Sequence, residues 1–115
     1  MKKITLTCAH AIVKYLIAQK ILINGKKEPL FPGVFGIFGH GNVACLGQAL
    51  EENQNELPTY RGHHEQNMAL TGIGYARAKR RQQIFVATSS VGPGATNMVT
   101  AAAVAMSNRL PILFL

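Results

Sequence analysis

Ile84-Phe-Val-Ala-Thr-Ser-Ser-Val-Gly-Pro-Gly-Ala-Thr-Asn97 joins an apolar run to a glycine turn and then to an alanine-rich stretch reaching Met106. The pattern predicts a strand over Ile84–Thr88, a sharp turn at Gly92-Pro93-Gly94 and a helix over Ala95–Met106. A second apolar run, Pro111 to Leu115, follows. Apolar runs without polar alternation suit strands buried on both faces, and helices between them suit a parallel sheet. Upstream, Val34 to Phe38 repeats the theme: it closes at Gly39-His40-Gly41, and Asn42 is placed to cap a helix carrying Val43, Leu46, Ala49 and Leu50. Between the two units, Pro58–Arg61 reads as a short strand. His64–Lys79 reads as a helix with Met68, Ala69, Ile73 and Ala76 along one side.

The N-terminal third is less regular. Thr7 is a candidate N-cap, and Ile12, Val13, Leu16, Ile17 and Ile21 recur at helical spacing, predicting a helix that ends near Leu22. Asn24-Gly25, the charged stretch Lys26 to Pro29, and Pro32-Gly33 read as turn and loop. The expected fold is α/β, a parallel sheet with helices on both faces, in one domain over residues 1–115. Its final apolar run stops with no turn behind it, so the domain is expected to be incomplete at its C-terminus.

Composition narrows the functional classes. The chain has 115 residues, 12 Lys and Arg against 5 acidic residues, and a net charge of +7. The basic residues are dispersed, Lys2-Lys3, Lys26-Lys27 and Lys79 to Arg81 among them, without the interleaved aromatics of single-strand nucleic-acid binders. A solvated surface with no nucleic-acid partner is expected. All five acids are Glu, and hard cations want carboxylates, so no metal site is expected within the chain. Cys8 and Cys45 have no metal-site or disulfide-scaffold spacing and are expected as buried thiols in a reducing compartment. No apolar run is long enough for a membrane span, and a cytoplasmic protein with no membrane partner is expected.

Three segments could carry chemistry. Gly39-His40-Gly41-Asn42-Val43-Ala44 fits the relaxed glycine fingerprint of dinucleotide-binding folds, but the acid that should follow about 20 positions on is replaced by Tyr60, Arg61 and Gly62. An NAD(P)-binding module and a plain strand-to-helix turn both remain open on these residues. Gly92, Pro93, Gly94 and Asn97 form a second turn that opens a helix and leaves backbone amides free. Glu65 stands in the first turn of the predicted helix, where either the helix dipole or a catalytic role accounts for an acid. His63 and His64 beside it have no evident third ligand and read as exposed helix-start residues. Gly72 and Gly74 inside that helix predict close packing against another element or subunit.

Taken together, Arg61-Gly-His-His-Glu-Gln-Asn-Met-Ala-Leu70, Gly74-Tyr-Ala-Arg77 and Thr88-Ser-Ser-Val-Gly-Pro-Gly-Ala-Thr-Asn97 resemble, in order and spacing, the pyrimidine-binding domain of thiamine diphosphate enzymes. The resemblance runs from Val34 to Leu115. Ile37-Phe-Gly-His-Gly-Asn-Val43 and Leu46-Gly-Gln-Ala-Leu50 are most similar to the branch that hydrolyses a carbon-carbon bond of a cyclic dione in inositol breakdown. An acetolactate synthase-like carboligase or decarboxylase is the alternative within the family. The resemblance implies thiamine diphosphate as cofactor, with Glu65 hydrogen-bonded to its aminopyrimidine ring and acting in its activation. It also implies that Gly39, His40 and Gly41 line an active-site wall and that Gly92, Pro93, Gly94 and Asn97 shape the pocket. The diphosphate and its magnesium would sit on a separate C-terminal domain with a Gly-Asp-Gly type motif, which this chain lacks. A small-molecule substrate and a homodimer or tetramer of the complete enzyme follow from the same resemblance.

Overall fold

The computed structural model describes residues 3–115, and Lys2, expected on the surface, lies outside them. Helix α1 spans Cys8–Ala18 and begins as anticipated, with the Thr7 hydroxyl accepting the backbone N–H of His10. It ends sooner than the apolar spacing predicted. Lys20–Ile23 is instead strand β1, paired antiparallel with strand β2, Lys26–Pro29, through the turn Asn24-Gly25. Both turn residues have positive φ, 51° and 78°, the conformation that Asn-Gly supplies in a two-residue hairpin. Ile17 and Ile21 fit an i, i+4 helix pair, but Ile21 and Ile23 also alternate with exposed Leu22. The β-branched pair beside a hairpin turn settles the competition for the strand.

The main sheet contains β3 (Val34–Gly36), β4 (Thr59–Arg61), β5 (Val86–Thr88) and β6 (Leu113–Phe114), all parallel, in the order β4-β3-β5-β6. Each strand is shorter than its apolar run. Successive residues serve opposite faces, as strand geometry requires. Val34 and Val86 join α1 residues Val13 and Leu16 in one core, whereas Ala87 joins Met68, Ala69 and Ile73 in the other. Helices therefore cover both faces, and the expected α/β architecture holds.

Four helical segments follow the strand ends. Residues Val43–Gly47 form a π-helical turn that continues as α2, Gln48–Glu51. Helix α3 spans Glu65–Ala78. The single helix expected over Ala95–Met106 is two, α4 (Pro93–Thr96) and α5 (Val99–Asn108), interrupted at Asn97-Met98. Cys8 and Cys45 are both exposed, correcting the expectation of buried thiols. Cys8 opens α1 at its outer end, and Cys45 lies in the exposed π-turn, so neither position faces a core.

The connections fix where a ligand can sit. From β3 the chain goes to β4 on one side, and from β5 it goes to β6 on the other. The carboxyl ends of β3 and β5 are thus a topological switch point, where open α/β sheets leave a crevice.

The two glycines of α3 differ. A Cβ on Gly72 would lie 3.2 Å from both the Ile112 Cδ1 and the Phe85 Cβ, so close packing within the domain explains that residue. A Cβ on exposed Gly74 would meet nothing within 4 Å. Gly74→Ala should therefore stabilise the chain by about 0.5–1 kcal/mol through helix propensity. Gly72→Ala should destabilise it by about 1 kcal/mol, because overpacking against buried Phe85 exceeds the same gain. Urea unfolding of the two variants reads both signs, and equal shifts in one direction would contradict this packing.

Candidate functional site

The crevice is a cavity of about 500 Å³ whose walls include Gly39, His40 and Gly41 from the β3 end, Ser89 and Ser90 from the β5 end, and Ala95 from α4. The backbone ladder extends beyond β3 by one bond, from Ile37 N–H to the Thr88 carbonyl at 3.1 Å. Past that point the loops are tied by a side chain. Asn42 Oδ1 accepts the Gly39 N–H at 3.0 Å, and Asn42 Nδ2 donates to the Ser89 carbonyl at 3.0 Å. Asn42 was expected to cap the following helix; it makes no such bond, because its Oδ1 is taken by Gly39 within its own loop and its Nδ2 reaches across to Ser89 in the other.

Ser90 lies where those loops come closest. A Cβ on Gly39 would stand 2.7 Å from the Ser90 Cβ, and a Cβ on Gly94 would stand 2.5 Å from the Ser90 Oγ. Only glycine permits either approach. Gly92 has φ 77°, so the turn itself also needs a residue without a Cβ.

The sequence-predicted residues fall into two groups around Ser90. Gly39, His40 and Gly41 line the cavity. Gly92, Pro93, Gly94 and Asn97 build the turn and α4 beside it, and Glu65, the first residue of α3, faces that turn. Asn97 Nδ2 donates to Glu65 Oε2 at 2.9 Å, and a Cβ on Gly94 would be 3.0 Å from Glu65 Oε1. The carboxylate is thus held by one oxygen and flanked by a glycine on the other, on a helix start that favours negative charge. The Asn97 hydrogen bond, then the backbone N–H of Glu65 itself, hold its carboxyl below the usual range; partial burial opposes them and His64 adds to them. Asn42 and Ser90 escaped the sequence reading as site residues. A serine pair between a strand and a glycine turn was the available signal for Ser90.

This arrangement tests the cofactor that the resemblance implies. A half-buried acid anchored on one oxygen by Asn97, with glycine rather than a side chain against its other oxygen, fits the pyrimidine end of thiamine diphosphate. A diphosphate-bound magnesium does not fit these residues: among the described residues no three His, Cys, Asp or Glu come together to hold a metal ion. His63 and His64 are both exposed. A dinucleotide would want an acid at the end of the neighbouring strand, and β4 ends there in Arg61. Among the described residues no helix is long and apolar enough to cross a membrane.

Because the folded-state pKa of Glu65 is lowered, its pairing with Asn97 stabilises the fold above the ordinary carboxylate pKa, and that stabilisation is lost as pH falls through the lowered value. Asn97→Ala should raise the Glu65 titration midpoint and flatten this acid limb. Carboxyl-carbon NMR titration checks it, and an unchanged midpoint would remove Asn97 as the cause.

Residues 27–115 match the family model for the thiamine pyrophosphate enzyme, N-terminal TPP binding domain. Over all 115 residues the chain is 54% identical to a 3D-(3,5/4)-trihydroxycyclohexane-1,2-dione hydrolase of Geobacillus thermodenitrificans and 50% identical to one of Clostridium tetani. Over 114 residues, 99% of the chain, it is 49% identical to the protein of that name from Listeria innocua. The chain spans 18% of the length of each of these relatives. With a family match across residues 27–115 and a crevice at the switch point of a parallel sheet, the chain belongs to the thiamine pyrophosphate enzymes, matching their N-terminal TPP-binding domain.

Proposed function

We propose that this chain is the cofactor-activating N-terminal part of a thiamine diphosphate-dependent enzyme that hydrolyses a carbon-carbon bond of a cyclic 1,2-dione. The observation that carries the reading is identity of about half of all residues, over the whole chain, to relatives named for that dione. Hydrolysis would place the hydroxyl of water on one carbonyl carbon and a proton on the other, opening the ring to an acid and an aldehyde. An acetolactate synthase-like carboligase would use the same acid, but no feature of this chain favours it over the dione hydrolase.

When bound, thiamine diphosphate supplies the nucleophilic carbon and the electron sink for the bond being broken. The chain's own residues orient and protonate. Glu65, fixed through Oε2 by Asn97, would share a proton with a ring nitrogen of the pyrimidine through its other oxygen. Gly94 keeps that oxygen accessible, since a side chain there would collide with it. Gly92 and Pro93 set the turn that brings Gly94 and Asn97 to Glu65, while Gly39, His40 and Gly41 form the facing wall. The diphosphate and magnesium would be bound by another part of a longer polypeptide. That enzyme is proposed to be a cytoplasmic homodimer or tetramer acting on a small molecule.

The complete polypeptide should convert 3D-(3,5/4)-trihydroxycyclohexane-1,2-dione to a ring-opened acid only when thiamine diphosphate and magnesium are supplied; cofactor-independent turnover, or none, would refute the reading. Glu65→Gln in that enzyme keeps the size of the side chain and loses the shared proton. Turnover and cofactor hydrogen-deuterium exchange should fall by about 10²–10⁴-fold, or about 3–5 kcal/mol of barrier. Melting should change little. If Glu65 served only the helix dipole, the variant would lose at most about 1 kcal/mol of stability and keep exchange at the wild-type rate.

A further inference from the structure

At the edge of the molecule where α3 and α5 end, Arg77, Arg80, Arg81 and Asn108 surround a second cavity of about 310 Å³ together with Leu110. Helix α3 begins at Glu65 and its 14 residues carry the chain about 21 Å to this edge. Arg81 Nε donates to the Arg109 carbonyl at 2.9 Å, which fixes one guanidinium against the end of α5.

Two observations bear on this cluster. The first is charge. Among the described residues the ion pairs are His10 with Glu52 and Lys14 with Glu56, so these exposed arginines, like most of the described bases, have no carboxylate partner; what distinguishes them is that three gather around one cavity. Like charges gathered without a counterion repel one another.

The second is backbone conformation. Among the described residues the non-glycine positions with positive φ are Asn24, Arg80, Arg81 and Arg109. Helix ends that need a left-handed residue ordinarily take glycine there, at no steric cost. Here three such positions carry arginine, and all three lie at this edge. The dipoles of α3 and α5 attract bases to their C-terminal ends, which accounts for Arg77 in the last turn of α3. They do not require arginine where glycine would be relaxed.

We propose that this cavity is a binding site for a small phosphate-bearing anion. Each guanidinium presents a planar fork of donors that matches phosphate oxygens, and a tetrahedral dianion can satisfy several forks at once, whereas a monocarboxylate has two oxygens. A volume of about 310 Å³ is at the lower end of small-molecule sites and suits a phosphate with a small attached body. The site is independent of the reading of the crevice as a cofactor pocket.

The test uses inorganic phosphate as probe on the complete polypeptide, with thiamine diphosphate and magnesium present throughout so that any diphosphate site elsewhere is filled. Titration calorimetry at about 0.1 M salt should give saturable one-to-one binding. An Arg77→Gln, Arg80→Gln double variant should weaken it by at least about tenfold, since charge-assisted bonds are lost. The Lys26→Gln, Lys27→Gln variant removes the same charge from the β1–β2 hairpin and should bind as wild type. In a second measurement on unaltered protein, phosphate should protect Arg77, Arg80 and Arg81 from phenylglyoxal relative to Arg61. Absence of saturable binding, equal weakening in both double variants, or no protection would each overturn the site and leave these arginines as dipole partners alone.

Discussion

Val34, Phe35 and Gly36 pair in parallel register with Val86, Ala87 and Thr88, and everything at the crevice hangs on that pairing. The two strands are distant in sequence, so their association needs a crossover and closes a long loop before any contact rewards it. What repays the closure is apolar burial on both faces: Val34 and Val86 are almost fully buried on one side, and Ala87 is fully buried on the other. Once the ladder forms, Ile37 bonds to Thr88 and Asn42 to Ser89, and the two loops are held as continuations of paired strands.

The loops then meet at a distance that excludes side chains. Ser90 stands between Gly39 and Gly94, and a methyl group on either would overlap it. Gly94 in turn faces Glu65, whose other oxygen takes the Asn97 amide. A glycine from the β3 end, a serine from the β5 end, a glycine and an asparagine around α4 and an acid opening α3 thus form one contiguous set. Hydrogen bonding to Asn97 and to its own backbone outweighs the partial burial of this acid and shifts it toward its charged form.

The N-terminal hairpin shows how a local rule can mislead. Ile17 and Ile21 satisfied the helical period, yet helix α1 stops at Ala18, because the Asn24-Gly25 turn pairs the flanking residues as strands. The period was real over Ile12–Ile17 and accidental beyond it. The misplaced cysteines have a related cause. Residue type alone suggested burial, but Cys8 opens an exposed helix end and Cys45 occupies a π-turn bent outward beside the crevice. Likewise α4 and α5 read as one alanine-rich helix, since nothing in alanine content marks the break at Asn97, whose side chain turns to Glu65.

The sequence by itself determined the α/β class, the approximate positions of all four parallel strands, the two glycine turns and the acid at the head of α3. These are local properties, carried by apolar runs, by turn chemistry and by residue order. Only the tertiary structure decided that Asn42 ties loops rather than capping a helix and that Ser90 sits between two glycines. It also decided that Asn97 holds Glu65 and that Gly72 is packed while Gly74 is free. Each of these is a distance between residues far apart in the chain, set by strand order and by the reach of a single side chain, and no local pattern encodes it.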